Sequence, residues 1–160
     1  MNIFVLDEDP KVSAEMMCDK HIVKMILESA QMLCSAFPQG EAPYKKAFFN
    51  HPCSKWARAS IDNYEWLLTH AYALMDEYLH RYGKIHKSLD AIAWCDDNYH
   101  NLNLPDIGLT DFAQAMPDEY KNNNAVVAYQ TYYVNDKKRF AKWKNRPTPE
   151  FMLDESLIIE

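Results

Sequence analysis

Glycine is scarce in this chain: only three glycines occur among its 160 residues. Tight turns between strands rely heavily on glycine, so this scarcity disfavours a sheet-rich protein. The length fits one domain, which should bury about 70% of the surface that its extended chain would expose. With 48% hydrophobic residues, a hydrophobic core is expected to form without disulfide bonds or structural metal ions.

Paired cysteines and long apolar runs are also missing. The four cysteines, Cys18, Cys34, Cys53 and Cys95, form no C-x-x-C pair, so a structural zinc site is not expected. No apolar run approaches the roughly 20 residues that span a bilayer, and no signal peptide is recognised. We therefore expect reduced, buried thiols and a cytoplasmic protein that does not enter a membrane.

An excess of positive charge is absent as well. The chain has 17 basic and 23 acidic residues, a formal charge of −6, which excludes a uniformly basic nucleic-acid-binding surface but not a local basic cleft. Residues 137–146 hold six basic side chains, whereas residues 151–160 form an acidic tail. The predicted organisation is one helical domain over residues 1–150 followed by this tail.

Hydrophobic periodicity predicts a mostly α fold, a compact bundle with two long helices. Residues 2–6 are β-prone and are the best strand candidate, and Asp9 before Pro10 is typical of a helix start. The long helices are predicted at about 10–36 and from about 54 to 82, with Gly83 as the residue that ends the second. Shorter helices are predicted at 89–95, 110–115 and 124–143, the last with a break near Asn135.

A polar stripe lies on the first long helix. His21, Lys24 and Glu28 are spaced at i, i+3 and i+7, which places them on one face over two turns. If partly buried, Glu28 can act as a general base or stabilise a developing cation, and His21 can assist proton transfer. The alternative is a solvated helix face with one salt bridge.

A second stripe lies on the second long helix. Asn63, His70, Glu77 and Arg81 recur at sevens and fours on a helix that is otherwise largely apolar. A polar line on such a helix either meets another polar element or faces a cleft. A histidine that is merely satisfied within the core is the alternative for His70.

We predict that the two stripes face each other across one cleft, with Lys84 and His86 at its rim. Burying either stripe without partners would cost about 1–3 kcal/mol for each unsatisfied group. A metal held between the stripes is a weaker alternative, because the seven-residue spacing of His21 and Glu28 is not that of helical metal ligands. No metal and no cofactor are therefore expected.

Basic residues alternate with aromatic ones near the end of the chain. Trp143 and Arg146 belong to this segment, and such a pattern suits phosphates together with bases that stack. With Lys20, Lys24 and the rim residues it predicts a ligand-binding cleft for a nucleotide or a short nucleic acid. A charged terminal helix is the alternative.

Several short segments together resemble a family of uncharacterised proteins from tailed bacteriophages. These segments are Asp19-Lys20-His21-Ile22-Val23-Lys24-Met25, His51-Pro52, Arg81-Tyr82-Gly83-Lys84-Ile85-His86, Gln114-Ala115-Met116-Pro117 and Trp143-Lys144-Asn145-Arg146-Pro147. The resemblance covers nearly the whole chain. It implies a phage origin and action in the cytoplasm of an infected bacterium, but no particular reaction.

The chain also resembles the endonuclease V-type pyrimidine-dimer DNA glycosylases, which are small helical enzymes. In that family a histidine on the first long helix precedes the catalytic glutamate by seven residues, as His21 precedes Glu28. Those chains also end in an aromatic, basic segment, which residues 141–147 resemble. The resemblance implies that Glu28 is the catalytic carboxylate.

Two positions differ from that family. Its nucleophile is the amine of an N-terminal threonine exposed by methionine removal, whereas Asn2, which is too large for efficient removal of Met1, stands second here. The arginine beside the family's glutamate is Leu27 in this chain. Schiff-base chemistry and duplex binding are therefore not expected from these residues.

Two functions follow from the sequence. The first is an enzyme acting at the N-glycosidic bond of a nucleotide or a modified base in DNA, with Glu28, His21 and His70 catalytic. In it, Lys20, Lys24, Arg81 and Lys84 hold phosphate. The second is a non-catalytic phage protein that sequesters a host signalling nucleotide through the same residues. Conversion of a nucleotide or oligonucleotide, lost in Glu28→Gln, separates the two.

Overall fold

The computed structural model describes all 160 residues, is 56% helical and has no strand. The mostly α prediction is confirmed. Six α-helices follow one another: α1 (Pro10–Met16), α2 (Asp19–Ser35), α3 (Pro52–Ala57), α4 (Ile61–Tyr82), α5 (Leu89–Asn98) and α6 (Ala125–Tyr132). Short 3₁₀ turns cover Tyr99–Leu102, Asp118–Tyr120, Glu150–Leu153 and Glu155–Leu157.

Helix α4 is the centre of the bundle, and α1, α2, α3 and α5 all pack against it. One core of buried apolar side chains runs through these contacts and includes all four cysteines, which are free thiols as predicted. No helix has both the length and the apolar character needed to cross a membrane.

Residues 2–6 are buried but do not form the predicted strand, because no second segment pairs with them. Side chains satisfy their backbone instead. The Oδ1 atom of Asn2 accepts from the amides of Ile3 and Phe4, and Ser13 Oγ accepts from the amide of Leu6 at 3.0 Å. The segment is therefore a buried chain without regular secondary structure that is attached to the helices.

The first long helix is broken where the sequence predicted continuity. Asp9 caps α1 by accepting from two amides, with Pro10 in the first turn, as predicted. Extended backbone at Met17 and Cys18 then separates α1 from α2. The break arises from a long-range contact, since Arg81 donates to the Met17 carbonyl at 2.8 Å.

The second long helix is broken as well. Ser60 ends the connection after α3 and caps α4, its Oγ accepting from the Asn63 amide at 3.0 Å. Gly83 follows α4 in the left-handed conformation with φ 66°, as predicted. Extended backbone at Ser60 makes it an N-cap rather than part of a continuous helix.

The C-terminal third is less helical than its sequence suggested. No helix forms over residues 110–115, and α6 ends at Tyr132 in a π-helical turn, Tyr133–Lys137, that contains Asn135. Helix α5 extends three residues further than predicted, to Asn98. In the acidic tail, Phe151 and Met152 are buried.

Candidate active site

The carboxylate of Glu28, on α2, lies close to two amines. The Oε1 atom of Glu28 lies 3.1 Å from the α-amine of Met1, and its Oε2 lies 3.7 Å from Nζ of Lys24. The Glu28 side chain is only 11% exposed, whereas Lys24 extends into solvent. Oε1 has no aligned hydrogen-bond donor, so the Met1 amine and this oxygen interact as opposite charges.

The buried N-terminal segment places the Met1 amine. Phe4 stacks on the His21 ring, with ring centroids 4.1 Å apart and planes 12° apart. The backbone of Phe4 is left-handed, with φ 55°, a conformation that costs a non-glycine residue about 1–2 kcal/mol. The stack fixes the direction of the segment, so that Met1 reaches Glu28 two turns further along α2.

His21 is a neutral, buried residue under this segment. Its Nδ1 is hydrogen-bonded to the hydroxyl of Tyr133 at 2.5 Å. Burial, together with the positive charges of Lys137, Lys24 and Lys20, lowers the pKa of His21 to about 3. At neutral pH it therefore orients the Phe4 ring and Tyr133 without carrying charge.

His51 lies near the Glu28 carboxylate, although the sequence analysis assigned it no role. Its Nδ1 accepts from the Cys53 amide at 3.1 Å, so any proton of the neutral ring is on Nε2. Burial lowers the pKa of His51, the Met1 amine lowers it further, and Glu28 raises it. The pKa of the imidazole therefore depends on both charges of the site.

The second stripe divides into separate clusters. Glu77 and Arg81 form a buried ion pair at 3.0 Å, and Arg146 adds two hydrogen bonds to Glu77 at 3.0 and 2.7 Å. Arg81 also donates to Asp19 at 3.0 Å. Burial acts to raise the pKa of Glu77, but the hydrogen bonds and charges of the two arginines outweigh it and the pKa is lowered.

His70 and Asn63 lie elsewhere on α4. His70 is fully buried, donates from Nδ1 to the Pro10 carbonyl at 2.9 Å and stacks on Trp66. Burial lowers the pKa of His70 to about 4, so the ring is neutral. Asn63 bonds Thr110 and the Trp56 carbonyl. Both residues tie helices and loops together.

The predicted single cleft between the stripes does not form. The N-terminal segment lies against His21 and Glu28, where the open space was expected, while Glu77 and Arg81 are enclosed in their own ion network. No group of three or more His, Cys, Asp or Glu side chains has the arrangement of a metal site. The largely buried carboxylate of Glu28, with the Met1 amine beside it, is therefore the candidate site on α2.

The solvent side of α2 is a basic ridge between two grooves. We call the exposed or half-buried residues Lys20, Val23, Lys24, Leu27 and Gln31 the α2 ridge. At its beginning lies a groove of about 590 Å³, which we call the strap groove because the C-terminal strap, residues 139–146, forms one of its walls. It is lined by Asp19, Lys20, Val23, Tyr82, Arg139, Phe140 and Lys142. At its end lies the lysine groove of about 580 Å³, lined by Leu27, Gln31, Pro43, Tyr44, Lys45, Lys46, Ala47 and Lys87.

These grooves concentrate positive charge on an acidic protein. The lysine groove has three lysines and no acidic residue. The only acidic residue in the strap groove, Asp19, is paired with Arg81. In the strap groove Nζ of Lys20 lies 4.7 Å from the centre of the Phe140 ring. The predicted local basic and aromatic surface is therefore present.

The remaining predicted ligand-binding residues lie around these grooves or anchor them. Lys84 is exposed after α4, and His86 accepts from the Ser88 amide at 3.0 Å. Burial and the charge of Lys87 lower the pKa of His86. Trp143 donates its indole N–H to the Met16 carbonyl at 2.7 Å, so it fastens the C-terminal segment.

A family described as pyrimidine dimer DNA glycosylase matches residues 1–91 of the chain. The chain belongs to this family. The matched part spans α1 to α4 and contains Met1, His21, Glu28 and His51. No curated protein and no solved structure matches the chain significantly.

Membership in the pyrimidine dimer DNA glycosylase family indicates a glycosylase-like activity on damaged bases and binding to DNA. The resemblance based on His21 and Glu28 is thereby supported. The strap groove residues Arg139, Phe140 and Lys142 lie outside the matched part, so their role depends on the structure alone.

Three features of this candidate site could not be recognised from sequence patterns. The Met1 amine is a backbone group, and the periodicity of side chains does not reveal backbone groups. His51 stands alone in a proline-containing loop, and its only signal was its position before Pro52 at the start of α3. Tyr133 reaches His21 across 112 positions of sequence, a separation that local patterns do not detect.

Proposed function

We propose that the chain is a DNA glycosylase that breaks the N-glycosidic bond of a damaged pyrimidine in duplex DNA, with the Met1 amine as nucleophile and Glu28 as its base. The observation that carries the proposal is the 3.1 Å contact between this amine and the largely buried Glu28 carboxylate. Asn2 disfavours removal of Met1, and in the structure the Met1 amine is the amine that lies at the Glu28 carboxylate.

The proposed chemistry is nucleophilic displacement at the sugar. The neutral amine attacks C1′ of the deoxyribose, and the bond from C1′ to the base breaks with its electron pair leaving on the base. Glu28 accepts the proton released by the amine, and the departing base takes up a proton. The C1′–O4′ bond then breaks and opens the sugar ring, the proton on Glu28 passes to O4′, and the amine nitrogen forms an imine with C1′. Water hydrolyses this imine, which restores the amine and leaves an abasic site.

The α2 ridge and its two grooves provide the path for the DNA. Eleven residues of α2 separate Lys20 from Gln31, a rise of about 16 Å, which matches about five base-pair steps of duplex. Basic side chains at both ends bind phosphates, and Glu28 lies between these ends, nearer to the lysine groove. Leu27, in place of an arginine, makes the ridge itself less charged than its ends.

The proposal predicts that borohydride will trap a covalent complex. Borohydride reduces the imine to a stable amine, so incubation with a duplex containing one cyclobutane pyrimidine dimer should link protein to DNA. Peptide mapping by mass spectrometry should place the link on the Met1 nitrogen. Lys24→Met is the matched control, because Lys24 has the second amine near Glu28, and it should still be trapped. Base release without a trapped adduct, or a link that maps to Lys24, would contradict the assignment.

The DNA path predicts a change in salt dependence. Each phosphate contact contributes about 0.9 to the slope of log affinity against log salt concentration. The double variant Lys45→Gln/Lys87→Gln should therefore lower this slope by about 1–2, as measured by fluorescence anisotropy with a duplex at several salt concentrations. The control Lys11→Gln/Lys121→Gln removes two exposed lysines outside the path and should leave the slope unchanged. Equal slopes in the two variants would remove the lysine groove from the path.

The proposed setting is the cytoplasm of a phage-infected bacterium. This part of the proposal is supported by the resemblance of residues 19–25, 81–86 and 143–147 to proteins of tailed bacteriophages. The test is to detect the protein in infected cells and then to replace it there with the Glu28→Gln variant. Repair of pyrimidine dimers should be lost in cells that contain the variant.

A further inference from the structure

The C-terminal strap, Arg139–Arg146, forms one wall of the strap groove. Arg139, Phe140 and Lys142 line this groove opposite Lys20 and Tyr82. None of these residues belongs to a helix or a strand, so the strap needs other contacts to keep its place. The shape of the groove therefore depends on whatever holds the strap.

Backbone contacts hold the middle of the strap at the junction between α1 and α2. The amide of Asp19 donates to the Lys142 carbonyl at 2.8 Å, and the carboxylate of Asp19 accepts from the Lys144 amide at 2.9 Å. The Trp143 indole donates to the Met16 carbonyl. These contacts attach the strap to the beginning of α2, beside the α2 ridge.

The end of the strap is locked by a buried ion pair. Arg146 binds Glu77 through two parallel hydrogen bonds of 3.0 and 2.7 Å, the geometry in which this pair is strongest. The Glu77 side chain is 4% exposed and that of Arg146 is 30% exposed. Asn145 has a left-handed backbone with φ 58° that turns the chain into this contact, and its carbonyl lies 3.0 Å from Nε2 of His80.

We infer that Glu77 and Arg146 are positioning residues that hold the strap in the conformation that forms the DNA-binding strap groove. The inference rests on the proposed function. Neither residue lines the groove, and the guanidinium of Arg146 is occupied by Glu77. Their effect on DNA therefore passes through Arg139, Phe140 and Lys142, which supply positive charge and an aromatic ring.

The test compares Arg146→Met with Glu15→Gln. Glu15 is a second carboxylate near Arg146, at 3.9 Å and half exposed, so its variant changes the local charge but keeps the lock. Arg146→Met should raise the Kd for a dimer-containing duplex about tenfold, the loss of roughly one stacking or phosphate contact. The rate of base release at saturating DNA should stay within twofold of wild type. Glu15→Gln should bind like wild type.

Two further variants separate positioning from direct contact. Glu77→Gln leaves Arg146 present and unpaired, so a direct contact with DNA predicts unchanged or tighter binding, whereas positioning predicts weaker binding. Arg146→Lys keeps the charge but only one hydrogen bond, and should restore part of the affinity. Trypsin should cut the strap faster in the folded Arg146→Met variant than in the folded wild type. Mass spectrometry of the fragments would locate these cuts in the strap and so show that it has been released.

A double-mutant cycle provides the last readout. If Arg146 acts through the groove, Arg146→Met should add little to the loss already caused by Arg139→Met/Lys142→Met. Additive losses, or wild-type affinity in a variant whose strap is released, would overturn the inference alone. A wild-type chain that fails to bind the duplex overturns the proposed function, and this inference with it.

Discussion

Replacing Glu28 with glutamine is expected to reduce base release by about 10²–10⁴-fold, the usual contribution of a positioned acid–base group. Glutamine keeps the volume of the side chain but has no charge to attract the Met1 amine at 3.1 Å and accepts no proton. Affinity for the duplex should change little, because in the proposed path the grooves, and not Glu28, bind the phosphates. The measurement is single-turnover formation of an alkali-labile abasic site in a duplex with one cyclobutane pyrimidine dimer, because the base released from its sugar stays attached to its neighbour through the cyclobutane ring. Anisotropy measures binding.

The matched control for this variant is Asp76→Asn. Asp76 is an exposed carboxylate on α4, and no ion pair involves it, so its loss should leave both rate and affinity unchanged. Wild-type turnover in Glu28→Gln would refute the catalytic assignment. A parallel loss of binding would instead indicate that Glu28 organises the site rather than reacting in it.

Replacing Arg81 with methionine is expected to lower the free energy of unfolding by about 3–5 kcal/mol, the cost of removing one partner from a buried ion pair. The guanidinium side chain is fully buried and donates to Glu77, Asp19 and the carbonyls of Glu15 and Met17. Without it, two carboxylates lose a partner and the end of α1 loses its cap. Urea unfolding followed by circular dichroism at 222 nm measures the difference.

Arg139→Met is the control for stability, because Arg139 is exposed and forms no ion pair. Its effect should stay within about 0.5 kcal/mol, as for most surface substitutions. If the two variants unfold at the same urea concentration, the network around Arg81 does not stabilise the fold.

The stability supplied by this network should depend on pH in a defined direction. The pKa of Glu77 is lowered in the folded protein from its ordinary value of 4.5. The contribution of Glu77 is therefore complete above pH 4.5 and is lost as the pH falls through the lower, folded value. The difference between wild type and Arg81→Met should accordingly shrink in that acidic range and remain constant from pH 6 to 7.

The parts of the fold that local chemistry determines were predictable from sequence. Asp9 with Pro10 marked the start of α1, and Gly83 marked the end of α4. Both breaks in the long helices were missed. At Met17 the carbonyl is bonded by Arg81, 64 positions away, and the apolar spacing on either side continues as though the helix were whole.

The candidate site was predictable only in part, for the same physical reason. The spacing of His21 and Glu28 predicted that both lie on one face of α2, since periodicity within a helix is a local property. Their partners were not local: Phe4 and the Met1 amine come from a buried segment with no regular structure, and Arg146 reaches Glu77 across 69 positions. The stripe on α4 was recognised as polar, but its members have separate partners, and only Glu77 pairs with the strap.

Because the N-terminal segment is held in place by hydrogen bonds, it limits how DNA can bind to this protein. The amides of Ile3, Phe4 and Leu6 are bonded inside the core, so their hydrogen exchange should require large-scale opening of the fold. An amine mounted on so rigid a support has little freedom to travel toward a sugar. In the proposed reaction the DNA therefore makes the movement, and the damaged nucleotide leaves its stack, which is easiest where the lesion has already weakened pairing. Selection of damage then resides in the deformability of the duplex.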